Sequence, residues 1–492
     1  MAFPQEILTW ISIAIAIGIA YVVKQIISNL LSPLNKIPGP PTWSPLGHLP
    51  KLINEPPGDP YIQWNQQYGG IIRYSFPMYS QRIAIIDPEY TKHILVTHCS
   101  KYRKPTQTRS LLIGIIGDGL ILLEGQEHAR ARKIINPTFK YSKIKELVPT
   151  FQSFAEVLVN YWQNEIDEHG GSKATLDVHK DLSRITLDAI CKSAFDYDCN
   201  ALTDKNNEVS VAFAKVLGGL TLNWTYFIPG FKYLPTPSNI EGKRALSICH
   251  GTVRKVIDEK LKKENIGEEK CLLDILLSLR DEDNNAGFAR NELQDHVMTF
   301  MSAGHETISV ALAWTLYALA TNPAVQEKVR QEICKVIQPG DNITWDTFDD
   351  LPYLDNVIKE SLRLYPPVPM TFRQAIADDK IGEYFIPKGT MIAIIPPYRN
   401  PKYYDEPLQF EPDRWNNSAK NASPYVYLPF LRGPRICIGS KFATTEIKCI
   451  LSSLLKNFSF QPYPDQPVER KLQVTMRPHP SLKLIVSSLL PS

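Results

Sequence analysis

An uncharged apolar run close to the first residue constrains this chain more than any other feature. Ile7 to Val23 reads ILTWISIAIAIGIAYVV. As a helix rising about 1.5 Å per residue, it covers most of the ~30 Å hydrocarbon layer of a bilayer. Glu6 is the only charge before the run, whereas Lys24, Lys36 and Lys51 follow it. That asymmetry keeps whatever follows on the cytosolic side. A cleaved signal peptide is disfavoured because the basic leading segment is missing. The expectation is a single-pass anchor over 1–30, then a proline-rich strap over 31–45. In the strap, Lys36-Ile37-Pro38-Gly39-Pro40-Pro41 favours an extended chain, since proline fixes φ and donates no N–H.

The remainder, 46–492, is expected to be one catalytic domain. Of 492 residues 43% are hydrophobic, enough to build a core without disulfide or metal staples. A charge of 54 basic minus 51 acidic residues, +3, is too small for a protein whose main partner is nucleic acid. The eight cysteines contain no C-x-x-C pair and point to a reducing compartment. Helical periodicity covers Ile144–Glu168, Asp181–Phe195, Gly251–Lys263, Asn291–Asn322, Pro323–Ile337 and Tyr353–Leu364. Strand patterns are shorter, at Ile71–Phe76, Arg82–Ile86 and Met391–Ile395. The sum is a mainly helical α+β body with small sheets.

The most informative stretch is Pro429-Phe430-Leu431-Arg432-Gly433-Pro434-Arg435-Ile436-Cys437-Ile438-Gly439, followed by a helical pattern from Ser440 to Leu455. Cys437 thus sits at a helix N-terminus, where backbone N–H groups favour a thiolate and lower its pKa. Gly433 and Gly439 allow turns and close backbone approach. The run matches F-x-x-G-x-R-x-C-x-G and resembles the haem-binding loop of the cytochrome P-450 family. The resemblance implies the P-450 fold, with a long central helix crossing haem b, and Cys437 as axial ligand of its iron. It also implies that Arg435 pairs with a haem propionate and that Phe430 packs beside the sulfur.

Other segments follow the family's order. Glu360 and Arg363 stand on one helical face, and Arg414 follows in Pro412-Asp413-Arg414-Trp415. By resemblance the three form a buried charge network that fixes the haem loop. Ala303-Gly304-His305-Glu306-Thr307 lies within the longest helical pattern, and Asn291 with Gln294 forms a capping box at its start. Gly304 costs about 1 kcal/mol against alanine mid-helix, so the helix is expected to open there for a ligand. The resemblance assigns Thr307 to hydrogen-bond dioxygen and Glu306 to relay protons from solvent. It makes His128, Arg132 and Arg373 further propionate partners, His128 standing where the family often has tryptophan. One departure is Ile395-Pro396-Pro397-Tyr398-Arg399-Asn400-Pro401, which is shorter than the family's pattern and lacks a histidine before the arginine.

The implied reaction is monooxygenation of a lipophilic small molecule, by hydroxylation or epoxidation. The implied partners are NADPH–cytochrome P-450 reductase and cytochrome b5, and the implied location is the endoplasmic reticulum membrane. Arg130, Arg132, Lys133, Arg432, Lys441 and Lys448 are candidates for a basic docking face. Phe300, Ala303, Val368, Met370 and Phe372 are expected to line the substrate pocket, with Leu217–Phe231 as an apolar roof. The rival functions are a haem-thiolate isomerase or dehydratase acting on a peroxide without reductase, and a non-enzymatic haem-binding membrane protein.

Overall fold

The longest helical pattern becomes the axis of the molecule. In a computed structural model, which describes residues 5–219, 230–262, 271–278, 288–338, 340–416 and 423–489, a helix runs over Arg290–Thr321. It is apolar nearly all round, and such a helix has to be buried on every side. Val178–Phe195 lies along it, and Pro237–Lys262, Pro352–Leu364 and Ser440–Asn457 also touch it. Trp314, fully buried, stacks on Tyr365 with ring centroids 4.6 Å apart and donates from Nε1 to the Met476 carbonyl at 2.7 Å. Truncating such a side chain to alanine costs about 3–5 kcal/mol.

Helix ends depart from expectation where polar or proline residues decide them. The Asn291/Gln294 capping box is not formed. The helix starts at Arg290, and Glu292 instead reaches back to accept the Ala289 amide at 2.8 Å. The stretch expected as one helix over Ile144–Glu168 is two, Tyr141–Glu146 and Val148–Glu168, divided just before Pro149, which has no N–H to continue the ladder. The helix expected from Gly251 reaches back to Pro237, because a proline is pre-set for a first helical position. Gly304 does not open the central helix, which is continuous through 303–307. The glycine is there for packing: a Cβ would lie 2.8 Å from Ile190 Cγ1 on the neighbouring helix.

A five-stranded sheet flanks the helices, in the order Ile71–Phe76, Ser80–Ile85, Met391–Ile394, Thr371–Ala375, Tyr102–Arg103. Met391–Ile394 is central, parallel to Ser80–Ile85 and antiparallel to Thr371–Ala375. Its Met-Ile-Ala-Ile sequence is apolar throughout because both faces are covered. Ile392 and Ile394 join one cluster with Ile83 and Ile85, while Ala393 joins Ala84 and Trp64 on the other face. Strands near the C-terminus were not foreseen. Among them, Glu469–Leu472 and Met476–His479 form a hairpin whose turn reaches the central helix.

The strap is bonded to this sheet. The Arg73 amide donates to the Pro38 carbonyl at 2.9 Å, Ile37 is buried, and a Cβ on Gly39 would overlap the Arg73 carbonyl oxygen. Before it, a helix spans Gln5–Leu30. Among the described residues no single helix is long and apolar enough to cross a membrane, the described apolar part being Ala16–Leu30. Lys24, Gln25, Ser28 and Asn29 dilute its apolar character, and Asn29 donates to the Tyr79 carbonyl at the sheet's edge.

Candidate active site

The loop before helix Ser440–Asn457 faces a cavity of about 2,140 Å³. Cys437 lies on its wall, with Phe430, Arg435 and Gly439 from the same loop. The Cys437 amide donates to the Phe430 carbonyl at 2.8 Å, closing the loop into a fixed arch. Gly433 stands behind the wall at φ +78°, where a Cβ would overlap the Leu95 carbonyl oxygen. No comparable demand falls on Gly439, whose Cβ would come no closer than 3.9 Å to Phe139. Two features of the loop act in the expected direction on Cys437: the Gly439 amide and the Arg132 guanidinium both favour its thiolate, against the opposing effect of desolvation in the cavity wall.

One rim of the cavity is cationic. His128 and Arg132 lie one turn apart on helix Gly125–Ile135, Arg373 comes from the sheet, and Arg435 from the loop. Lys104, which no motif marked, joins them. Burial and the charges of Arg435 and Arg373 lower its pKa to about 7. Burial and the neighbouring Arg435, Arg132 and Lys104 lower His128 to about 4, so its imidazole is neutral at pH 7. Burial likewise brings Arg373 down to about 10. Glu124 faces this cluster, pairing with Arg435 and accepting the Lys104 amide at 3.0 Å. One acid against so many cations leaves a net positive pocket, and Arg435 Nη1 is buried without a hydrogen-bond partner among the described residues. A ligand bearing two carboxylates fits that deficit.

Across the cavity the central helix presents Phe300, Ala303 and Thr307. Phe300 stacks on Phe139 at 5.7 Å, and Thr307 Oγ1 donates to the Ala303 carbonyl at 2.8 Å. Val368, Met370 and Phe372 approach from the segment leading into the sheet. Glu306 is 2% exposed and held from the C-terminal hairpin. Arg477 donates to it from Nε and Nη2, both at 2.6 Å, and Thr475 Oγ1 donates at 2.5 Å. Arg477 holds the carboxyl below its usual range against the opposing effect of burial. These two partners come 169 and 171 residues later in the chain, with no local motif to connect them to Glu306. Of the expected roof, residues 220–229 lie outside the described residues, while its flanks Leu217 and Phe231 line the cavity.

Glu360, Arg363 and Arg414 stand together away from the cavity. Arg363 donates to both Glu360 oxygens at 2.8 Å, Arg414 Nε to Oε1 at 2.8 Å, and Trp415 Nε1 to Oε2 at 3.0 Å. Arg363 Nη1 also reaches the carbonyls of Tyr398 at 2.6 Å and Pro407 at 2.7 Å. The short Tyr398-Arg399 segment is therefore well tied, and Arg399 adds a 3.0 Å pair with Asp59. Of the six basic candidates for docking, Lys448 is committed to Asp355 at 3.0 Å and Arg130 lies 3.8 Å from Glu292.

A mainly helical body with small sheets, and a glycine-bounded cysteine loop facing a long buried helix across a large cavity, define a class of haem-thiolate enzyme. The family model for Cytochrome P450 matches residues 37–486. The chain is 30% identical to Cytochrome P450 monooxygenase 205 of Postia placenta, over 94% of this chain and 93% of the relative. It is also 30% identical to Cytochrome P450 3A5 of Homo sapiens, over 98% and 96%. A third relative at 30% identity is Cytochrome P450 4A14 of Rattus norvegicus, over 93% and 89%. The chain belongs to the cytochrome P450 family, the Postia placenta relative being named a monooxygenase, and membership implies haem iron as its cofactor.

Proposed function

We propose that this protein inserts one oxygen atom of O2 into a lipophilic small molecule, releasing the other as water. Its electrons come from NADPH through NADPH–cytochrome P-450 reductase, with cytochrome b5 as an alternative donor. Haem b, which Cys437 would ligate, would supply the oxygen-activating chemistry. Arg435, Arg373, Arg132 and neutral His128 hold its propionates, joined by Lys104. Phe430 and Gly439 shape the thiolate side, and Gly433 lets the loop seat on Leu95.

The chain's remaining tasks are positioning and proton delivery. Phe300, Ala303, Val368, Met370 and Phe372 give an apolar wall that orients substrate and excludes water. Thr307 lines the cavity with its hydroxyl proton given to the Ala303 carbonyl, so Oγ1 accepts from a ligand there, and donates to it only once that bond is released. Glu306 supplies protons after its carboxylate leaves Arg477, since a carboxylate locked in a bidentate pair is a poor base and carries no proton. The N-terminal helix and Lys24, Lys36 and Lys51 support an anchor in the endoplasmic reticulum membrane with the single domain 46–492 on the cytosolic side.

The observation that carries this reading is the cysteine arch facing the central helix beside an under-compensated cationic rim. The test is the reduced, carbon-monoxide-bound absorption spectrum of the purified protein, with Cys437→Ser beside it. The thiolate-type band is expected in the parent and absent in the variant; its retention in the variant refutes the ligand. Turnover that requires NADPH and reductase separates a monooxygenase from an isomerase, which would consume a peroxide alone.

A further inference from the structure

Away from the cavity, two histidines and an aspartate converge on the underside of the cysteine loop. His93–Thr97 forms a single π-type turn, closed by the His98 amide donating to the His93 carbonyl at 2.8 Å. In an α-helix, residues five apart point in different directions. The wider turn instead brings i and i+5 onto one face, and such turns occur disproportionately at functional sites. Here it stacks the two imidazoles, with ring centroids 4.1 Å apart and planes inclined by 29°. Asp379, opening strand Asp379–Ile381, completes the group, and one potential donor atom from each of the three lies within 4.8 Å of the others.

We propose that His93, His98 and Asp379 bind a divalent transition metal, zinc in the first instance, independently of the haem. Two imidazole nitrogens and one carboxylate oxygen, with further positions left to water, form a donor set suited to zinc. His98 Nδ1 is buried with no hydrogen-bond partner among the described residues, and a buried imidazole nitrogen left so is costly unless something coordinates it. Asp379 is buried and already oriented as ligating carboxylates usually are. Tyr102 Oη donates to Oδ2 and Lys101 Nζ to Oδ1, each at 2.6 Å. His93 Nε2 lies 2.8 Å from Oδ2, and closing around an ion requires the rings to turn out of their stack, since each nitrogen lone pair lies in its ring plane. Lys101 opposes the added charge, but its side chain is 38% exposed, so water can take over its ammonium if it gives up Oδ1 to the ion. The affinity expected is therefore micromolar, weaker than that of a closed four-ligand site. The site bears on the haem loop by contact, because the same π-type turn carries Leu95, whose carbonyl oxygen meets Gly433.

The test is titration of the purified full-length protein with ZnCl2 in the presence of a chromophoric chelator. One zinc per chain is expected, with at least a tenfold loss of affinity in His98→Ala. That variant removes a ring whose Nδ1 has no hydrogen-bond partner among the described residues and leaves Tyr102 and Lys101 on Asp379, so it should fold as the parent does. Cys334→Ser, at an exposed thiol remote from the cluster, should titrate like the parent. Equal affinity in His98→Ala and parent, loss of binding in Cys334→Ser, or no zinc bound at 100 µM would each overturn the proposal. A rise in melting temperature on zinc addition, present in the parent and absent in His98→Ala, would support it.

Discussion

Replacing Glu360 by glutamine changes one oxygen for one NH2 group and removes one negative charge from the centre of a buried network. In the parent, Glu360 accepts two bonds from Arg363 and one each from Arg414 Nε, Trp415 Nε1 and the Glu411 amide, all between 2.8 and 3.0 Å. The variant keeps the shape but strands two guanidinium groups and points amide hydrogens at existing donors. Both Glu360 and Arg363 are 0% exposed, so solvent cannot screen the loss. Breaking a buried pair from one side costs about 3–5 kcal/mol. An unfolding entropy of about 2.1 cal/mol/K per residue, over 492 residues, converts this to a fall in melting temperature of roughly 3–5 °C. The control is Glu327→Gln, which weakens the Glu327–Arg330 pair at 2.6 Å, whose acid is 53% exposed. That pair is worth only about 0.2–1 kcal/mol. The assay is thermal melting followed by circular dichroism, with haem occupancy measured alongside. If Glu360→Gln melted within a degree of Glu327→Gln, the network would not hold the structure as argued.

Other consequences can be checked separately. Arg477→Leu removes the main partner of Glu306, so its carboxyl pKa should rise and the acid limb of the turnover–pH profile should move to higher pH; an unmoved limb would exclude Glu306 from proton delivery. Gly433→Ala places a Cβ against Leu95 at a positive φ, and haem occupancy and melting temperature should both fall, whereas Gly439→Ala should be milder in melting temperature. Burial raises Asp188 to about 6. The folded protein thus holds a proton that the unfolded chain releases between about pH 4 and 6, and stability falls as pH rises through that window. Asp188→Asn, which still accepts one of the amides of Ala201 and Leu202, should flatten that slope by about one proton in urea unfolding at pH 4 and 6.

Features set by short-range chemistry were legible in the sequence. The central helix announced itself by sustained periodicity, strand Ile71–Phe76 by its β-branched run, and the cysteine arch by glycines and an arginine at fixed spacing. Partners supplied from far along the chain were not. Thr475 and Arg477 meet Glu306 only because a C-terminal hairpin folds back on the central helix, and Lys104 joins the cationic rim from a short, unpatterned segment. Gly304 misled for a related reason: its explanation is Ile190 on another helix, which no local pattern contains.

The Arg73 amide holds the Pro38 carbonyl, and Gly39 lies so close to Arg73 that any side chain there would collide with it. The strap therefore meets the body at the rim of its five-stranded sheet, and swelling Gly39 to alanine would have to lift that seam before it disturbed anything in the cavity.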